Sequence, residues 1–448
     1  MKKYIEIESY DALLPLIAPG AVLRHYAFQN IEFGRNSVQC RFEDCIFFGC
    51  SMPDVMRAEL SPDCCVFPKL PVPFNPFPAQ LYVPSVLYAG YDYRNPETFE
   101  QCYDTRIYKR YVTHGKQAAD ISETLARSLH DHSISDALHD FLSRYDERRV
   151  VAVMGGHALL RTDDNYRKVV IIAKHLAEQG CLVVTGGGPG AMEAAHLGVW
   201  FAGRDDVSVD DALMLLSQAP SYKDDGWLAS AFALMEKMPR VSDCCSVGIP
   251  TWFYGHEPAT PFATHIAKYF NNSIREDGLL AIAKGGVIYS PGSAGTMQEV
   301  FQDAAQNHYE TFGYASPMVF LDSVHWCEKF PVYPMLQGLQ QSGGYKNLLL
   351  SLADTPAEAE EAIMRFLKNG KLKTESLCQR VSGNSFTHKT SAAKVQSHAA
   401  RLKLVPTNFS IKRTKVKLVL TFVVSKRKIN EVNGRKFIYA RSEFKDKR

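Results

Sequence analysis

The stretch RVVAVMGGHALLRTDDNYRKVVIIAKHLAEQGCLVVTGGGPGAMEAA (149–195) alternates short apolar runs with a longer amphipathic segment. RVVAVM (149–154) and CLVVT (181–185) are rich in valine and are followed by glycines, which predicts two buried strands. Between them, apolar residues recur every three or four positions from Asn165 to Gln179, which predicts a helix. A strand, a helix and a second strand form the unit from which parallel sheets are built.

The same alternation continues to about residue 370. It predicts further strands at CSVGIP (245–250), GVIYS (286–290), PMVFLD (317–322) and NLLLSL (347–352). It predicts further helices at residues 190–202, 262–283, 294–308 and 355–367, with Thr355 capping the last. The expected fold class is therefore α/β, a Rossmann-like doubly wound parallel sheet over residues 148–370.

A five-residue period marks YAFQNIEFGRNSVQCRFEDCIFFGC (26–50), where Cys40, Cys45 and Cys50 share one register. This period fits neither a helix nor a flat strand and resembles a short pentapeptide-repeat coil with its cysteines directed inward. The sequence predicts a small β-rich N-terminal region, interpreted as a capping element in preference to a binding platform.

A proline- and tyrosine-rich connector follows at residues 66–96, so residues 1–100 are expected to form an accessory region. The spacing of apolar residues from Gln117 to Tyr145 predicts a helical hairpin, assigned to residues 101–147. Three histidines of this segment match no compact ligand spacing, so a helix junction is favoured over a metal site; they are His130, His132 and His139.

Charge is distributed unevenly along the chain. Residues 368–448 hold 21 Lys and Arg against 4 Asp and Glu, whereas residues 1–367 hold 30 against 44. The basic extension at 371–448 is compatible with contact to nucleic acid, but a solvated extension is the favoured interpretation.

Glu6 and Glu8 interrupt what would be the apolar part of a signal peptide, and the apolar run Leu418–Val424 is too short to span a bilayer. Eleven cysteines without C-x-x-C spacing suit reduced thiols. We therefore expect a cytoplasmic protein with no membrane partner.

Three loops that follow predicted strands are candidates for the functional site, because ligands of doubly wound sheets bind at the carboxyl ends of the strands. They are GGHALLR (155–161), TGGGPGAMEAA (185–195) and SPGSAGTMQEV (290–300). Glycines that open a helix allow backbone N–H groups to approach a phosphate, although a tight turn needed only for packing gives the same pattern. Glu299 lies about one turn beyond Thr296, where it either faces the bound ligand or complements the helix dipole.

The motif PGSAGTMQE (291–299) resembles P-G-G-x-G-T-x-x-E of the LOG family, phosphoribohydrolases that were long mislabelled lysine decarboxylases. GGHA (155–158) and GGGPGAMEA (186–194) resemble more closely the bacterial nucleotide 5′-monophosphate nucleosidases of the same superfamily. The resemblance covers residues 148–370. It implies a homodimer or higher homo-oligomer. Nothing in these motifs requires a metal or an organic cofactor, so none is expected.

Matched position by position, the resemblance implies that Glu299 and Arg275 are catalytic. Arg275 has a second interpretation from the sequence alone, as a surface residue paired with Glu276 or Asp277. Ser293 stands where the family has glycine, which puts the geometry of that turn in question. The expected phosphate-binding residues are Gly187, Gly188, Gly190, Gly292, Ser293, Gly295 and Thr296.

The segment GIPTWFYGHEP (248–258) is aromatic and polar after a predicted strand, so Trp252 is expected either to stack on a base or to pack at an interface. His256 and Glu257 are weaker candidates for contact with a base. The expected substrate-binding residues are Gly155, Gly156, His157, Met192, Glu193 and Trp252.

These parts together predict hydrolysis of the N-glycosidic bond of a nucleoside 5′-monophosphate, such as an AMP-like or cytokinin riboside monophosphate, to free base and ribose 5-phosphate. A nucleotide sensor without turnover is the main alternative. A dinucleotide-dependent dehydrogenase fits less well, because GGGPGA (186–191) lacks the G-x-G-x-x-G order.

Overall fold

The computed structural model describes residues 4–34, 37 and 39–382. Its N-terminal strands pair in parallel in two small sheets, one in the order β1-β3-β5-β6 and one formed by β2 and β4. This arrangement confirms the predicted β-rich, pentapeptide-like region. The strands are β1 (Ile5–Ile7), β2 (Val22–Arg24), β3 (Tyr26–Gln29), β4 (Arg41–Glu43), β5 (Ile46–Phe48) and β6 (Cys65–Phe67).

The five-residue register of the cysteines has a direct structural counterpart. The thiols of Cys45 and Cys50 donate to the carbonyl oxygens of Leu23 and Phe28 at 3.3 Å, in each case 22 residues earlier in the chain. Burial raises the pKa of both thiols to about 11. They therefore stay protonated at neutral pH and act as small core residues.

The segment between the coil and the central sheet is helical. Residues 101–147 hold the two helices expected of the hairpin, Tyr103–Thr113 and Ile121–Leu142, but the break lies before Ile121, so the stretch from Gln117 to Tyr145 whose spacing predicted the hairpin forms one continuous helix. Asp120 starts this helix by accepting from the N–H of Glu123, and no turn residue interrupts it. The helices are α1 (Tyr10–Leu13), α2 (Asp54–Ala58), α3 (Pro84–Leu87), α4 (Tyr103–Thr113) and α5 (Ile121–Leu142).

Seven parallel strands form the central sheet, in the order β10-β9-β8-β7-β11-β12-β13. The chain extends the sheet to one side of β7 and then returns to add β11 on its other side. That reversal creates a crevice at the carboxyl ends of β7 and β11. The strands are β7 (Val150–Met154), β8 (Leu182–Thr185), β9 (Ser246–Gly248), β10 (His265–Ile266), β11 (Gly286–Tyr289), β12 (Pro317–Leu321) and β13 (Leu349–Ala353).

Helices cover both faces of this sheet, which confirms the predicted doubly wound α/β fold. The sequence did not predict α8, α9 or α12. The helices are α6 (Asp164–Glu178), α7 (Ala191–Trp200), α8 (Asp206–Leu216), α9 (Trp227–Lys237), α10 (Asn272–Ile282), α11 (Ala294–His308), α12 (Val332–Gln341) and α13 (Pro356–Ser382).

The long helix predicted at residues 262–283 is wrong in its first half. The chain instead forms the edge strand β10, and α10 begins only at Asn272. Asn271 sets this start because its side chain accepts from the N–H groups of Ser273 and Ile274. Arg275 therefore lies in the first turn of a short helix, next to the carboxyl edge of the sheet.

None of the described helices is long and apolar enough to cross a membrane. The predicted domain boundaries stay predictions. The interpretation of the basic extension concerns residues that lie outside the described part of the chain, apart from the helical start of that segment in α13.

Candidate functional site

The loops after β7, β8 and β11 meet at the crevice. The N–H of Gly156 donates to the carbonyl of Pro291 at 3.0 Å, and the N–H of Ala191 donates to the carbonyl of Gly156 at 3.2 Å. Gly190 has a φ of 70°, and a Cβ there would collide with the carbonyls of Gly156 and His157. Glycine at 190 is therefore required both by its backbone conformation and by the closeness of the neighbouring loop.

A cavity of about 450 Å³ opens between the loops that follow β7 and β11. Its position at the reversal of strand order is the usual ligand position in this fold class. The N–H of Gly292 donates to Nε2 of His325 at 3.4 Å, so a histidine from beyond β12 supports the loop. The residues that line the cavity include Gly156, His157, Asp163, Gly292, Ser293 and His325.

The turn before α11 brings together the expected phosphate-binding residues 292–296. A Cβ at Gly292 would collide with the Thr296 side chain, which is buried. Ser293 is the N-cap residue of α11, yet its exposed side chain makes no capping hydrogen bond. No atom lies within 4 Å of a Cβ built on Gly295. The first turn of α11 thus has no side-chain cap and has open space beside Gly295, as an anion-binding turn requires.

The second glycine turn, residues 186–190 before α7, is held by a hydrogen bond to the last residue of β8. Gly187 has a φ of 72°, and its N–H donates to Oγ1 of Thr185 at 2.9 Å. Thr185 also bonds Nε2 of the buried His196, whose Nδ1 bonds Ser246. Burial lowers the pKa of His196 to about 3, so the ring is neutral and acts as a structural link. Gly188 lies in the same buried turn.

Arg275 reaches from α10 to this second turn. Its Nε donates to the carbonyl of Ile249 at 2.7 Å, and Nη2 donates to the carbonyl of Gly186 at 3.1 Å. A Cβ at Gly186 would collide with the guanidinium. The surface pairing with Glu276 or Asp277 that the sequence also permitted is not what the structure has.

Glu299 occupies the facing helix α11, in an environment that disfavours its charge. Its pKa is raised to about 7, chiefly by burial; the positive charge of Arg275 lowers it, and the negative charge of the neighbouring Glu276 adds to the rise. Burial in turn lowers the pKa of Arg275, while Glu299 raises it. The structure therefore brings the two residues expected to be catalytic into electrostatic contact beside the glycine turns.

His157 and Met192 lie at the outer side of the glycine turns. Nδ1 of His157 is 3.6 Å from Oε1 of Glu257, and its ring contacts Tyr222 at a centroid distance of 5.8 Å. The Met192 side chain lies against Gly186 and Gly188. Met192 and His157 are thus placed where a ligand held by the turns can meet them.

Two residues expected to bind substrate lie elsewhere. Glu193 is fully buried, and its carboxylate accepts from Arg161 at 2.5 Å and from Tyr166 at 2.9 Å. Trp252 is also fully buried; it donates to Asp104 and stacks on Phe270 at 4.4 Å. Neither side chain is accessible to a ligand, so both residues lie outside the candidate site. For Trp252, the packing interpretation is the one that the structure supports.

Sequence reasoning missed Asp303, which is buried one turn beyond Glu299 and accepts from the Tyr289 hydroxyl at 2.7 Å. Burial raises its pKa to about 7. Its spacing of four residues from Glu299 was the available signal. His325 and Tyr222 were also missed, since only tertiary structure brings their segments to the loops.

Parts of this chain are similar to known proteins. The model of the SLOG cluster4 family matches residues 148–207, which include the loops after β7 and β8. No curated protein matches the chain. Among solved structures, the molybdenum cofactor binding protein from the phototrophic bacterium Rippkaea orientalis is 15% identical, with 49% of this chain and 96% of that chain covered and a TM-score of 0.31.

The Moco carrier protein from Chlamydomonas reinhardtii is 16% identical, with 49% of this chain and 98% of that chain covered and a TM-score of 0.31. The first part of the central sheet and its two glycine loops are similar to the SLOG cluster4 family.

Proposed function

We propose that this protein hydrolyses the N-glycosidic bond of nucleoside 5′-monophosphates and releases the free base and ribose 5-phosphate. The observation that carries the proposal is the pairing of Glu299, whose pKa is raised to about 7, with Arg275 beside two glycine turns. A carboxylate placed next to anion-binding turns is unfavourable unless it serves the bound ligand.

The turn at residues 292–296 is proposed to hold the 5′-phosphate. Its helix supplies first-turn N–H groups and a favourable dipole, and the Ser293 side chain makes no capping hydrogen bond that would occupy those N–H groups. Phosphate binding far from the reacting bond would position the ribose, so nucleosides without phosphate are expected to be poor substrates.

Glu299 is proposed to act at C1′. Cleavage of the bond develops positive charge on the ribose ring, and a nearby carboxylate stabilises that charge and orients the attacking water. Its active form is the ionised one, which becomes the major form above pH 7. Arg275 favours that form, and its bonds to the carbonyls of Ile249 and Gly186 hold its charge in place.

The test is release of free base from a panel of nucleoside 5′-monophosphates, measured by chromatography for wild type and Glu299→Gln. We expect release by wild type and a loss of at least about a hundredfold in kcat for the variant, with ribose 5-phosphate binding retained. Glu361→Gln is the matched control, because Glu361 is exposed on α13, where it pairs with the equally exposed Arg365, and lies outside the candidate site.

A nucleotide sensor is the second candidate. One observation favours it: two of the Arg275 nitrogens already donate to backbone carbonyls, which suits a residue that shapes a binding site. If wild type binds monophosphates with affinities that Gly292→Ala weakens, yet releases no base, the hydrolase proposal is wrong and the sensor takes its place.

A further inference from the structure

A second cavity, which we call the aromatic cavity, lies beside the loop after β7. It has a volume of about 490 Å³, and its lining includes Tyr91, Phe99, Thr105, Tyr108, Tyr222 and Leu228. It shares no lining residue with the cavity at the crevice. Tyr222 connects the two regions, because its ring also contacts the His157 ring.

The start of α9 supplies hydrogen-bond donors to the aromatic cavity. The N-cap residue is Gly226, with a φ of 86° and no side chain to cap the helix. Leu228 and Ala229 line the cavity in the first turn, where N–H groups have no acceptor within their own helix. These N–H groups suit a carbonyl oxygen or a ring nitrogen of a ligand.

Thr105 supplies an independent sign of a ligand. It is more than nine-tenths buried, it lines the aromatic cavity, and its hydroxyl has no hydrogen-bond partner among the described residues. A buried hydroxyl without a partner is unfavourable in proteins, because the hydrogen bonds it makes to water in the unfolded chain are not replaced. A ligand group that bonds this hydroxyl would remove that cost.

The charges around the aromatic cavity disfavour a strongly anionic ligand. Glu100, Asp224 and Asp225 line it; of its two lysines, Lys109 is paired with Glu100, and the Lys223 ammonium lies over the Tyr222 ring. The rings favour a flat heterocycle, and the α9 donors with the Thr105 hydroxyl favour one that has both acceptors and donors. A neutral nucleobase has this combination.

We propose that the aromatic cavity binds the base of the nucleotide, while the crevice binds its phosphate. This inference rests on the proposed function for the identity of the ligand. It assigns selection of the base to α4, to residues 222–229 and to residues 255–258, segments outside the glycine turns.

The test measures binding of free adenine, hypoxanthine, uracil and cytosine, and separately of ribose 5-phosphate, to the full chain by calorimetry. Tyr222→Ala is expected to weaken the tightest base about tenfold, from loss of a stacking ring, and to leave ribose 5-phosphate within twofold. Thr105→Val keeps the side-chain shape and is expected to change the ratio of affinities among the bases by about fivefold. Tyr309→Ala is the control, because Tyr309 is exposed and outside the cavity.

Unchanged base affinities in both Tyr222→Ala and Thr105→Val would overturn the inference. An equal loss of base and ribose 5-phosphate binding in both variants would also overturn it, because the effect would then be general. The proposed function fails on a different result, the absence of base release by wild type, so the two failures are distinguishable.

Discussion

Glu193 and Glu299 both follow a glycine-rich turn in the early part of a helix, yet their environments are opposite. Glu193 on α7 is fully buried and bonded to Arg161 and Tyr166. The carboxylate of Glu299 on α11 has no hydrogen bond or ion pair among the described residues, and burial raises its pKa to about 7. A carboxylate with hydrogen-bonded partners stabilises the fold, whereas one held near neutrality, with the charge of Arg275 nearby but no hydrogen bond, is suited to chemistry.

The largest expected effect is on stability. Glu193→Gln should lower the free energy of unfolding by about 3–5 kcal/mol, because Arg161 would keep a buried charge without its partner. Urea unfolding followed by tryptophan fluorescence measures this. Glu299→Gln should show no comparable loss at pH 7. Equal destabilisation by the two variants would remove the distinction between the two glutamates.

The second prediction concerns pH and stability. The pKa of Glu299 in the folded protein is raised, so its contribution to stability is fully present below pH 4.5 and is lost as pH rises through about 7. Between pH 5 and 8, wild type should lose on the order of 1–3 kcal/mol relative to Glu299→Gln. Asp303 titrates in both proteins, so the difference isolates Glu299. Parallel stability curves would contradict the raised pKa.

The third prediction concerns the pH dependence of base release. Because Glu276 raises the pKa of Glu299, Glu276→Gln should shift the acidic limb of kcat/KM to lower pH, by less than about one unit. Asp277→Asn is the matched control, since Asp277 accepts from Gln302 and has no effect on the pKa of Glu299. A shift of the same size in both variants would show a general charge effect.

The smallest expected effect distinguishes two positions of one turn. Ser293→Gly should change the affinity for ribose 5-phosphate by less than about threefold, because the serine side chain makes no capping bond. Gly292→Ala should weaken it by at least about tenfold, because a Cβ there collides with Thr296. Calorimetric titration of both variants checks this. If Ser293→Gly weakened ribose 5-phosphate binding more than Gly292→Ala, the serine hydroxyl would be the main phosphate contact and the prediction would be wrong.

Local patterns were sufficient for most of the central sheet. Apolar β-branched runs bounded by glycine predicted strands such as β7 and β11, and the three-to-four spacing predicted α6 and α11 closely. The region from 262 to 283 failed because its apolar residues suit an edge strand as well as a helix, and the cap at Asn271 decides where the helix starts.

The sequence by itself determined the fold class, the glycine turns and the candidates Glu299 and Arg275, because these depend on residue type and on spacing along the chain. Only the tertiary structure decided which of Glu193 and Glu299 has hydrogen-bond partners. Arg161 and Tyr166, which donate to Glu193, lie 32 and 27 residues from it in the sequence. It also decided that Trp252 is core and that Tyr222 reaches His157. Burial and charge partners arise from segments distant in sequence, and no local pattern records them.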